Sequence, residues 1–184
     1  MSRLSILAVF GLSLLAGLFS GAALAAELPT FAEPVLFTSL GQSPDAKTFS
    51  VLAGRAKLKG EFVTLAKGSD IEAAQTVFVT VGTSLKGFGS AGVNLESETA
   101  RCEEMVKAAK AKGVYLVLVH IGGEGRRDSM TNLLLEKLAP AADAFIVYEN
   151  GNLDGYFSQV AGDKPLALLA KTLDVVKLLE SKLP

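Results

Sequence analysis

The sequence predicts an α/β domain of three layers, an open sheet of five or six mostly parallel strands in the flavodoxin-like order 2-1-3-4-5 with helices on both faces. Three observations carry this expectation. Residues 77–81, 114–119 and 144–148 are apolar runs with little or no polar alternation, the pattern of strands covered on both faces. Amphipathic segments separate these runs. The connections leaving strands are long and rich in Gly, Ser, Thr and charge, whereas those returning from helices are short and plain. In doubly wound sheets that asymmetry marks the ligand-facing edge.

Taken in order, the chain has Arg3 as its only charge before Glu27, runs apolar over residues 6–24 and reaches Ala23-Leu24-Ala25. This is the pattern of a secretory signal peptide over residues 1–25, cleaved after Ala25, and it implies a periplasmic or secreted product. A retained anchor is the rival reading, against which Gly11, Gly17, Ser20 and Gly21 dilute the apolar run. Residues 26–33 read as a flexible leader, and residues 34–184 as a single α/β domain. The first strand is expected at residues 35–38. Ser43 as N-cap and Pro44 at the first helical position open a helix whose Phe49, Leu52, Ala53 and Ala56 share one face.

Residues 62–65 form a second strand candidate, and residues 82–94, after the strand at 77–81, read as a long flexible loop that is a lid candidate. Leu95, Cys102, Val106 and Ala109 mark the next helix, stopped by Gly113. The strand at 114–119 follows, then a helix carrying Leu134, Leu135 and Leu138 that ends at Pro140, then the strand at 144–148. A weaker strand at 166–169 and a helix with Leu173, Val176, Leu179 and Leu183 close the chain.

Composition narrows the function. Removing Arg3 with the signal leaves 17 basic and 19 acidic residues, and Arg126-Arg127 is the longest basic run. Nucleic acid, whose phosphates require a concentrated basic face, is therefore not an expected partner. No second apolar span follows the signal, so no membrane association is expected after cleavage. The single Cys102 allows no internal disulfide and falls on an apolar helix face, where it reads as core. Stability must come from packing.

Candidate site residues lie in the loops after the strands. In FTSLGQSPDA, Thr38, Ser39, Gly41, Gln42 and Ser43 precede a helix start, so backbone N–H groups and hydroxyls offer an anion cradle. A capped strand-to-helix turn is the plain alternative. In VGTSLKGFGSAGVN, Gly82, Thr83, Ser84 and Lys86 sit beside a literal G-x-G-x-x-G. Those glycines start too late after the strand, and no acidic residue ends the next one, so NAD is not expected. In HIGGEGRRDS, His120 is placed as base or anchor, Gly122 and Gly123 permit close approach, and Arg126 and Arg127 suit a carboxylate or phosphate. Backbone-satisfied histidine and surface-paired arginines are the alternatives. Glu149 and Asp154 are too few for a metal site, and no cofactor is expected.

Through PVLFTSLGQSPDA, VGTSLKGFGSAGVN and LVHIGGEGRRDS, the chain resembles an uncharacterised family of exported bacterial proteins classed as a domain of unknown function. The resemblance implies an exported α/β domain and no established activity. The expected function is an exported module that binds or senses a small anionic molecule. One alternative is an enzyme acting on a small acidic substrate with His120 as base. A second is a flavin carrier, from the likeness of residues 38–43 to a flavodoxin phosphate loop. A protein partner is left open.

Overall fold

The computed structural model describes residues 27–183, so the signal-peptide reading of residues 1–25 lies outside them. Six strands, β1 (Val35–Leu40), β2 (Glu61–Phe62), β3 (Thr76–Val81), β4 (Tyr115–His120), β5 (Ala144–Tyr148) and β6 (Leu166–Leu169), form one parallel sheet in the order β2-β1-β3-β4-β5-β6. The order expected from the sequence is present, extended by β6. Seven α-helices, α1 (Asp45–Arg55), α2 (Gly68–Glu72), α3 (Leu85–Ala91), α4 (Leu95–Lys112), α5 (Ser129–Leu138), α6 (Tyr156–Ala161) and α7 (Asp174–Glu180), and three short 3-10 helices at Glu124–Arg126, Ala139–Ala141 and Glu149–Asn152 complete the described elements.

Strand parity sorts the core into two layers, because successive side chains point to opposite faces. Leu36 and Leu40, with Val77, Val79 and Val81, pack with α2, α4, α5 and α6 through Ile71, Met105, Leu134 and Phe157. Val35, Phe37, Phe78, Val117 and Val119 face α1 and α7 through Phe49, Leu52, Val175 and Leu179.

Four local expectations change. The second strand comprises Glu61–Phe62 rather than residues 62–65; its register pairs are with Leu36 and Phe37, and Val63 N still donates to Phe37 O beyond it. The short α2 was not anticipated. Residues 82–94 are largely the helix α3, whose N-cap Ser84 accepts a hydrogen bond from Gly87 N and whose end is the left-handed Gly92. The expected flexible loop is therefore a capped element. Residues 27–33, expected as a flexible leader, lie on the core instead. Phe31 is 1% exposed, its ring meets Phe78 edge-on at 4.9 Å, and its N–H donates to Lys182 O. Two apolar side chains, Leu28 and Phe31, supply the burial that ties these residues down.

Candidate functional site

The connections after β1, β3 and β4 meet at the carboxyl edge of the sheet. Gln42 pairs with Thr83 in an isolated bridge, Ser43 N donates to Gly82 O, and Ser84 N donates to Gly41 O. This first turn is unusual backbone: Gly41 has φ 95° and Gln42 has φ 62°, a left-handed value that a non-glycine residue adopts at a cost. Gly41 also has no room for a side chain, since a Cβ there would lie 2.5 Å from Gly82 O. Ser43 Oγ accepts from Asp45 N and donates to Asp45 Oδ2, but α1 begins at Asp45 with Pro44 as its N-cap residue, one position later than the expected Ser43 cap and Pro44 start.

What holds this turn is Glu98, a residue the sequence reading did not single out. It has no exposed surface. Its Oε2 accepts from Gly41 N at 2.7 Å and from Gln42 Nε2 at 2.9 Å, and Arg101 forks onto both carboxylate oxygens at 2.8 Å. Arg101 in turn donates to Ser39 O and Ala66 O. Burial would raise the Glu98 carboxyl, but the Arg101 guanidinium and the Gly41 and Gln42 donors outweigh it and hold it below the usual range. The anion cradle anticipated at residues 38–43 thus holds the chain's own carboxylate.

Thr38 and Ser39 diverge by parity. Thr38 faces the α4 layer and donates to Thr64 O at 3.4 Å. Ser39 faces α1. Its hydroxyl oxygen is buried and has no hydrogen-bond partner among the described residues, although a buried polar group left unmatched costs about 1–3 kcal/mol. Ser39 lines a cavity of about 590 Å3 that is also bordered by Gln42, Lys47, Phe62, Thr64 and Ser90. Among the described residues, Lys47 is the only charged one on its wall. The ammonium lies 4.7 Å from the Phe62 ring centroid and forms no ion pair among the described residues.

The second and third connections share a further network. Thr83 N donates to Thr131 Oγ1, and Thr83 Oγ1 donates to the Asp128 carboxylate at 2.7 Å. Asp128 caps α5 by accepting from Thr131 N. Gly82 packs beside Ser43, and Lys86 is exposed on α3. Arg126 donates to Thr83 O at 3.2 Å and stands 3.6 Å from Asp45 Oδ2, and Gly122 is wedged between these two side chains. Arg127 is held by Asp154, Asn132 and Gly151 O and lies over the Tyr156 and Phe157 rings. Neither arginine borders the Ser39 cavity.

His120 occupies the other side of the sheet from Ser39. It has no exposed surface, stacks on Phe157 at 5.3 Å, and places Nδ1 3.0 Å from Val81 O and Nε2 3.1 Å from Gly123 O. Burial lowers its pKa, while the two carbonyls pull the other way. A neutral ring can donate to only one of these two carbonyls, and the contacts fix the imidazole between β3 and its own loop. Gly123, at φ 68°, makes the turn that returns its carbonyl to this ring. Among the described residues, no group of three His, Cys, Asp or Glu side chains is placed to hold a metal, and no helix is long and apolar enough to cross a membrane.

These features define a parallel α/β domain with a preformed cavity at the carboxyl edge of its first strand. Residues 32–183 match the model of a family described as a domain of unknown function, DUF6305, and the chain belongs to that family. No curated protein matches it.

Proposed function

We propose that the domain is a binding or sensing module for a small anionic molecule, seated in the Ser39 cavity with Lys47 as its counter-charge. The observation that carries this reading is the Ser39 hydroxyl, buried and unmatched, in a cavity whose only charged wall residue, among those described, is a lysine. A ligand oxygen there would supply the missing partner, and an anion would pair with an ammonium that lies over the Phe62 ring and forms no ion pair among the described residues. The volume falls within the range of small-molecule sites, and the wall mixes apolar surface with a few polar groups, as such sites do. Glu98 and Arg101 support the site by locking the strained turn that carries Gln42 and by bonding the Ser39 carbonyl at the end of β1. With the signal peptide read from residues 1–25, the module would work outside the cytoplasm.

A thermal-shift screen with acetate, succinate, phosphate and sulfate tests this on wild type, Ser39→Ala and Lys47→Ala. At least one anion should stabilise the wild type. Ser39→Ala should melt no lower than wild type without ligand, because it removes an unmatched polar group, yet show a smaller ligand response. Equal responses in all three proteins would refute the assignment.

A further inference from the structure

We infer that the ligand is an elongated organic dianion with an apolar middle, held at one end by Ser39 and Lys47 and at the other by Lys57 and Lys59. This rests on the site just proposed and extends it along β1. Phe37 and Ser39 share one face of that strand, two residues and therefore about 6.6 Å apart. Phe37 lies on the wall of a second cavity, of about 820 Å3, which adjoins the first across Lys47 and Phe62. The second cavity lies between α1 and the β2 edge of the sheet, lined by Lys47, Ser50 and Val51 on one side and Gly60 and Phe62 on the other.

The walls state what would fit. Phe37, Val51, Leu58 and Phe62 contribute apolar surface to the second cavity. Its charged residues are Lys47, Lys57 and Lys59; no carboxylate lines either cavity, and none of the three lysines forms an ion pair among the described residues. Lys57 follows α1 with φ 66°, at a helix end where glycine would sit without strain. A cation is therefore carried at a conformational cost at the far end of the trough. An inorganic ion would leave most of this space unfilled, and a fatty acid would leave Lys57 and Lys59 unmatched. A dicarboxylate of intermediate length matches both ends and the apolar floor.

Calorimetric titration with succinate, octanoate and octanedioate separates these cases. Octanedioate should bind wild type at least about tenfold more tightly than either of the others. Lys57→Ser/Lys59→Ser should bring octanedioate to the octanoate level without changing octanoate binding. Equal affinity for octanoate and octanedioate, or an unaffected double variant, would overturn the extended site. If succinate or octanoate still binds and Lys47→Ala abolishes that binding, the Ser39 site stands while its extension fails. If none of the three binds, the extended site falls, and the Ser39 site is then decided by the phosphate and sulfate arms of the thermal-shift screen.

Discussion

Glu98 and Ser39 make opposite predictions from neighbouring positions. Glu98→Gln leaves Arg101 buried without its charge partner and weakens two anchors of the first turn. It should cost about 3–5 kcal/mol, read as a lower urea midpoint with unchanged slope. Because the folded Glu98 carboxyl is held below its unfolded value of about 4.3, its contribution is complete above that pH. It is lost as pH falls through the folded value. Cys102, pushed up to about 12 by burial, should remain unreactive toward thiol reagents until the protein unfolds. Glu98 was legible in principle: three residues after Leu95 and four before Cys102, it lies on the apolar stripe of α4, where a carboxylate must be paired. Ser39 was named among the candidates, but only the parity of β1 separates it from Thr38.

At the scale of elements, α3 joins the site to the rest of the edge. A Cβ at Gly87 would lie 2.1 Å from Gln42 O, whereas one at Gly89 meets nothing within 4 Å. Gly89→Ala should therefore stabilise by about 0.5–1 kcal/mol through helix propensity. Gly87→Ala should destabilise by about 1–3 kcal/mol despite the same gain, because it drives α3 off the first turn. Thermal melts of the two variants check the contrast, and shifts of the same sign would contradict this packing. The strong strands were readable because a strand covered on both faces must be apolar at nearly every position, as in residues 116–119. The helix α3 was hidden by the glycines that let it approach Gln42, and β2 was too short to show a pattern. The distal network of Asp128, Thr83 and Thr131 depends on partners 45 and 48 residues apart, which no local spacing reveals.

Across the whole molecule, the two faces of the sheet divide the work. The α1 side carries the cavity, while the α5 and α6 side holds His120 and Arg127 in a locked cluster. His120 is the only histidine, so a single imidazole signal reports its state by NMR. With its folded pKa lowered, it should be less protonated at pH 6.5 than a free imidazole, which is half protonated there. Stability from this group should be complete above about pH 6.5 and decline as pH falls below that, because the unfolded chain then binds the proton more readily. Exported protein should begin at Ala26; an intact Met1 in a membrane fraction would contradict the signal-peptide proposal. The most direct test of the central claim is a calorimetric titration of succinate into wild type, Lys47→Ala and Arg126→Ala/Arg127→Ala. Lys47→Ala should lose about tenfold or more in affinity, the equivalent of one charge-assisted contact, while the arginine variant binds as wild type does. Loss in the arginine variant with full retention in Lys47→Ala would place the anion at the third connection and contradict the account.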